Sequence, residues 1–146
     1  MKNQKKIWEE EHKRMNKEAV AAIVYDKNSD RVLVGRKKSD SNGSLRGQYH
    51  LPGETIEHGE SDQQALIRGM KEEAGIKVKV LRYLGSHVTP KKTKVRWYEC
   101  EPLNNNISFG SDLTEVLWVP KEKVIHICSS KSILLWPKEV KEYFSK

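Results

Sequence analysis

Residues 53–76 read Gly-Glu-Thr-Ile-Glu-His-Gly-Glu-Ser-Asp-Gln-Gln-Ala-Leu-Ile-Arg-Gly-Met-Lys-Glu-Glu-Ala-Gly-Ile, and this stretch decides the fold. A turn-rich segment runs into an amphipathic helix that closes on adjacent carboxylates and a glycine. Ser61 is a favourable N-cap, and Gln64 three residues later completes a capping-box pattern. Ala65, Leu66, Ile67, Met70 and Ala74 supply an apolar stripe, with 66, 70 and 74 at helical spacing. Gly75 suits the C-terminal cap. Arg68 and Glu72 are four apart and share a face, and Glu73 lies beside Glu72 around the helix. Glu60 precedes the cap, at the positive end of the helix dipole. Glu60, Glu72 and Glu73 make a hard, oxygen-rich set of the kind that holds Mg²⁺ or Mn²⁺ together with substrate phosphates. The plainer alternative, a solvated charged face, does not account for the Leu51-Pro52-Gly53 turn or for the spacing that follows it.

That spacing resembles the Nudix box, written G-x5-E-x7-R-E-U-x-E-E-x-G-U with U an aliphatic residue. Glu60, Arg68, Met70, Glu72, Glu73, Gly75 and Ile76 fit it. Two positions depart. Glu54 stands where the first glycine belongs, one place after Gly53, and Gly69 stands where the first glutamate after the arginine belongs. A mid-helix glycine costs about 1 kcal/mol relative to alanine, so helix propensity does not explain Gly69. The resemblance implies an α+β fold, a Nudix-type α/β/α sandwich with a mixed central sheet. It also implies Mg²⁺- or Mn²⁺-dependent hydrolysis of a nucleoside diphosphate linked to another moiety. Glu60, Glu72 and Glu73 would be metal ligands, and Glu72 and Arg68 part of the catalytic apparatus. The box glutamate missing at position 69 would be a metal ligand or the base. Glu115, with Asp112 second, would replace it, because residues 110–120 resemble a family segment that carries such a carboxylate; Glu60, Glu54 and Glu57 are the next candidates. The bland account of the same two residues is a turn cap for Asp112 and an exposed strand position for Glu115. A glutamate restored at 69 would then be expected to extend the acidic cluster and raise turnover.

The 146 residues suit one domain, 1–146, with residues 1–17 a charged arm or short helix. Charged residues make up 32% of the chain and the formal net charge is +7, which favours anionic ligands. RNA ends are compatible with that charge, although many of the lysines lie in the first seventeen residues and the C-terminal helix. Cys100 and Cys128 have no metal-ligand spacing and sit in apolar settings, so buried free thiols are expected. No apolar run is long enough to span a membrane and no secretory core is visible, which points to a soluble cytoplasmic protein. A homodimer stays open.

Along the chain, Glu18–Tyr25 and Arg31–Gly35 read as strands joined by a hairpin turn at 26–30. Residues 37–47 read as a loop. Short strands follow at 48–52 and 54–57, then the box helix, then strands at 77–87, 94–101, 107–109 and 116–119. Helical character returns at 121–125, 131–136 and 138–144. Arg36, Tyr49, Gly53 and Glu54 are the candidates for substrate binding. Arg36, Lys38, Arg46 and Arg96 are candidates for phosphate contacts, with lone surface cations as the plainer account. Tyr49, Trp97, Tyr98 and Trp118 are candidates to stack on a base, although core packing is the commoner role of strand aromatics. His50, His58 and His87 lack partners at ligand spacing. The first function is hydrolysis of a nucleoside triphosphate to monophosphate and pyrophosphate. The alternatives are ADP-ribose or nucleotide-sugar hydrolysis, RNA-end pyrophosphohydrolysis, and a catalytically silent nucleotide-binding module.

Overall fold

The run Ala19-Val20-Ala21-Ala22-Ile23-Val24 has no polar face. It forms strand β1 (Glu18–Asp26), buried on both sides, in a computed structural model that describes residues 17–37, 47–104, 106–107 and 113–145. Over residues 18–24, β1 pairs in parallel with β6 (Lys94–Pro102), and β5 (Val78–Val88) adds antiparallel to β6. The short β4 (Gly53–Thr55) lies antiparallel to β1, with Val20 opposite Glu54 and Ala21 opposite Gly53. At its other end β1 turns into β2 (Arg31–Lys37), which is flanked by β3 (Tyr49–His50) and β7 (Leu113–Pro120). The Asp26 carboxylate accepts the Asn28 amide and the Ser29 hydroxyl, which fixes the expected hairpin turn.

Strand alternation divides the core in two. Val20, Ala22, Val24, Leu33 and Val116 pack with Ala65, Leu66, Met70 and Ala74 of helix α1 (Asp62–Ala74). Ala21, Ile23, Val32, Val34, Trp97 and Val119 face the opposite layer. A 3₁₀ turn at Lys121–Lys123 leads into that layer, which is built from α2 (Val124–Ile127), α3 (Ser130–Leu135) and α4 (Lys138–Phe144). The result is the expected α+β sandwich, helices on both faces of a seven-stranded mixed sheet.

Several local expectations shift. Ile67 is 40% exposed rather than part of the buried stripe, because one step of about 100° turns it away from Leu66. Strand β7 starts at Leu113, ahead of the expected 116, since it pairs along the whole of β2. Only Tyr49 and His50 of the expected strand 48–52 join the ladder, and the next strand covers 53–55 rather than 54–57. Ile107 is irregular rather than part of an edge strand at 107–109, and residues 108–109 lie outside the described ones. So do residues 1–16 of the charged arm and 38–46 of the expected loop. Cys100 and Cys128 are buried and unpaired with each other, and burial pushes both thiols up to about 12. Among the described residues no helix is long and apolar enough to cross a membrane.

Candidate active site

Helix α1 is held at both ends by groups the sequence specifies. The Ser61 hydroxyl accepts the Gln64 amide at 3.1 Å, and the Gln64 side chain accepts the Ser61 amide at 2.9 Å. Gly75 adopts φ 67°, and its amide reaches back to the carbonyl of Lys71, so the helix stops one residue after Ala74. Asp62, the first helical residue, is tied to the sheet. Arg96 on β6 donates to it at 2.6 and 2.7 Å, and the Tyr98 hydroxyl donates to the same carboxylate. The arginine holds the Asp62 carboxyl below its usual range, while burial and then Asp62 push the Tyr98 phenol up to about 12. Two fixed ends leave α1 little freedom to translate, so the side chains of its third turn keep their places.

One of them, Glu72, joins a cluster gathered on Arg68. Its guanidinium donates to both oxygens of Glu60, at 2.6 and 2.9 Å, and to the Thr55 carbonyl at 3.0 Å. One nitrogen, Nη1, lies 3.2 Å from Glu72, 3.6 Å from Glu57 and 3.8 Å from Glu54. The paired guanidinium holds the Glu60 carboxyl down to about 2 and is itself pushed up. Glu60 also accepts the Glu57 amide at 2.9 Å. Glu60 is thus the residue that orients Arg68, while the Glu72 and Glu57 side chains stand 57% and 67% exposed. Glu73 is half-buried on the same helix.

Glu54 reaches this cluster from the sheet. It lies directly opposite Val20, whose side chain belongs to the layer under α1, and cross-strand neighbours share a face. Its side chain crosses the helix at Gly69. A Cβ at position 69 would stand 2.8 Å from the Glu54 Cβ and 2.9 Å from its Cγ. Both contacts involve the root of the side chain rather than a mobile tip. The glycine is therefore a packing requirement, and it offsets its helix cost. This corrects the expectation that a glutamate at 69 would extend the cluster, because Glu54 already occupies that space. Burial pushes the Glu54 carboxyl up, against the pull of Arg68.

The other expected site residues fall elsewhere. Arg36, Tyr49 and Glu115 form one cross-strand row on β2, β3 and β7. The Tyr49 hydroxyl donates to Glu115, Arg36 Nε lies 3.8 Å from the same carboxylate, and the guanidinium stands 5.7 Å over the Tyr49 ring. Residues 116 and 118 pack toward α1, whereas 117 and 119 pack toward the C-terminal helices. By alternation Glu115 faces the C-terminal helices, away from Arg68. Asp112, Lys38 and Arg46 lie outside the described residues. Gly53 abuts the Val20 carbonyl, 3.0 Å from where its Cβ would stand. Arg96 is committed to Asp62 and to Glu18, at 3.0 Å. Trp97 is 4% exposed in the core, and its indole donates to His87 Nδ1 at 3.0 Å. Burial holds that imidazole below its usual range. Trp118 packs half-buried against the α1 core, and His50 Nδ1 lies 2.9 Å from the Leu51 carbonyl. Asp62 is the site-building residue that the sequence alone does not single out. A carboxylate at the first helical residue was the available signal for Asp62, but its partner lies 34 residues away.

Two cavities, of about 420 and 340 Å³, open at the hairpin end around Tyr25 and Glu99, and their linings include no residue of the 53–76 stretch. The carboxylate cluster, with its chemistry, is the better candidate for the site. Among the described residues no three acidic, histidine or cysteine side chains stand in metal-holding geometry as they are. The donor set nevertheless fits a hard divalent cation. It is all oxygen, and three of its carboxylates already converge on one positive nitrogen.

A family model described as NUDIX domain matches residues 15–142. Among curated proteins, an ADP-ribose pyrophosphatase of Methanocaldococcus jannaschii is 34% identical over 67 residues, 46% of this chain and 37% of the relative. A CTP pyrophosphohydrolase of Escherichia coli is 34% identical over 70 residues, 48% of this chain and 49% of the relative. The chain thus spans less than half the length of these curated relatives. The crystal structure of a NUDIX hydrolase from Nitrosomonas europaea superposes with a TM-score of 0.74 at 19% identity, covering 90% of this chain and 71% of that one, a likeness of fold.

Proposed function

This chain belongs to the NUDIX domain family, and from that premise we propose that it hydrolyses a phosphate anhydride in a nucleoside diphosphate linked to a further group. The first substrate class is a nucleoside triphosphate. Water adds to phosphorus, the anhydride P–O bond breaks, and the leaving pyrophosphate takes the bonding pair. The remaining product is the monophosphate, and the proton lost by water passes to a carboxylate. The observation that carries this reading is the collection of four carboxylates on one arginine beside a doubly anchored helix. Glu72 and Glu73 would hold a divalent cation, and Glu60 would hold Arg68 so that Glu72 keeps its aim. A cation held there would neutralise phosphate charge and would acidify a bound water. The E. coli relative, named for CTP, supports the triphosphate reading; the M. jannaschii relative, named for ADP-ribose, supports a nucleotide sugar as second class.

The test is a screen of the four nucleoside triphosphates, ADP-ribose, UDP-glucose and a 5′-triphosphorylated RNA, with and without Mg²⁺, read as phosphate or pyrophosphate release. Pyrophosphate release from a triphosphate that needs Mg²⁺ and is lost in Glu72→Gln is the expected result. No release from any compound by the folded parent would overturn it in favour of a silent nucleotide-binding module.

A further inference from the structure

Glu54 and Gly69 are the two positions at which the box pattern is broken, and the fold puts them in contact. Strand β4 brings Glu54 onto the face of the sheet that α1 covers, because Glu54 is paired with Val20. The Glu54 side chain then passes over position 69 so closely that only a glycine leaves room: a Cβ there would be 2.8 Å from one Glu54 carbon and 2.9 Å from the next. Its carboxylate ends 3.8 Å from Arg68 Nη1, the atom that Glu72 approaches to 3.2 Å. The side chains of Glu54 and Arg68 are each only 20% exposed. The Glu54 oxygens meet Arg68 in one long ion pair and accept the Thr55 amide at 3.2 Å.

We infer that Glu54 and Gly69 are an exchanged pair: the strand supplies the carboxylate that the helix lacks, and Glu54 binds the divalent cation together with Glu72. The glutamate has moved from helix to strand and the glycine from strand to helix, so the site keeps its carboxylates while the backbone that carries one of them changes. This explains both departures by one contact. It also makes Gly69 a condition for the site rather than a lesion in it. The inference rests on the proposed metal-dependent reading, but it concerns binding and packing, which are measurable without turnover.

The experiment compares the parent with Glu54→Gln, Gly69→Glu and the double exchange Glu54→Gly/Gly69→Glu. Each protein is melted in EDTA and titrated with Mn²⁺ by calorimetry and by electron paramagnetic resonance. Glu54→Gln keeps shape and should fold as the parent does. Its Mn²⁺ affinity should fall at least about tenfold, the low end of what losing a supporting group at a metal site costs. Gly69→Glu alone should melt several degrees lower in EDTA, from the clash with Glu54. The double exchange should recover the melting temperature and bring Mn²⁺ affinity to within about threefold of the parent, a coupling that independent sites do not show. Unchanged Mn²⁺ affinity in Glu54→Gln overturns the inference. So does a Gly69→Glu protein as stable as the parent with no recovery in the double exchange. A parent that binds Mn²⁺ through Glu54 yet hydrolyses nothing sinks the proposed activity and leaves the exchange standing. A parent that hydrolyses normally while Glu54→Gln binds Mn²⁺ unchanged does the reverse.

Discussion

Arg68 and Arg96 both clasp helix α1, each through a carboxylate at 2.6 Å, and both side chains are about one-fifth exposed. Their charge balance separates them. Arg96 meets two carboxylates, Asp62 and Glu18, with the Tyr98 hydroxyl donating to Asp62. Arg68 meets four, Glu54, Glu57, Glu60 and Glu72. One guanidinium cannot neutralise four carboxylates, and crowding like charges beside a half-dry sheet costs stability. A protein that needed only to fasten the helix has the cheaper solution at Arg96. The excess negative charge at Arg68 is what a divalent cation would balance, and that cation in turn would carry a phosphate-bearing substrate. Two arginines in similar settings thus separate fastening from chemistry, and the difference lies in what remains unbalanced around each.

The comparison breaks first at Glu72 and Glu73. Replacing both with glutamine removes the charge of Glu72 from the Arg68 cluster and that of its helix neighbour Glu73, while keeping shape. Mn²⁺ affinity should vanish in calorimetry, and turnover should fall roughly 10³-fold, several kcal/mol of transition-state charge stabilisation. The melting temperature in EDTA should stay level or rise, because like charges are relieved. A large loss of stability instead would make these carboxylates structural, and the contrast with Arg96 would disappear.

Arg96→Met is the converse. Among the described residues it leaves Asp62 with Tyr98 as its remaining side-chain donor, half-buried at the helix start. Losing a charged hydrogen-bond pair in such a place costs about 2–3 kcal/mol. For a chain of this size that lowers the melting temperature by roughly 5–10 °C. Mn²⁺ affinity, measured well below the melt, should stay within about twofold of the parent. A tenfold loss of affinity with little loss of stability would place Arg96 in the site after all.

How much of this could be read in advance depends on distance along the chain. The cap at Ser61, the stop at Gly75 and the burial of β1 are local patterns, and each formed as the residues dictate. Arg68 with Glu72 is one helical turn, equally local. The face that Ile67 takes was also local, and a stricter helical projection would have set it outward. Glu54 over Gly69 was not legible. It needs the register of a three-residue strand against β1, and nothing within that strand specifies the register. Asp62 with Arg96 joins the helix to a later strand, and no spacing rule connects them. Glu115 shows the opposite limit. Strand alternation fixes which residues accompany it, but only the assembled sandwich shows which helices lie on that side.

Glu115 also gives the smallest expected effect and the sharpest check on which face the site occupies. The family-like segment 110–120 made it the first candidate for the proton acceptor, and the fold seats it with Tyr49 and Arg36 toward the C-terminal helices. Glu115→Gln keeps an acceptor for the Tyr49 hydroxyl and removes only the charge. The lost ion pair spans 3.8 Å between side chains that are 41% and 43% exposed, so it is worth roughly 0–1 kcal/mol. Turnover at saturating Mg²⁺ and substrate should remain within about twofold of the parent. A true proton acceptor would contribute roughly 10²–10⁴-fold, a range that no surface ion pair imitates. A loss of that size, with the melting temperature unchanged, would move the acceptor to β7 and require the substrate to span the sheet from Arg68 to the Tyr49 row. Absence of that loss leaves the acceptor among the carboxylates around Arg68, where the unbalanced negative charge already lies.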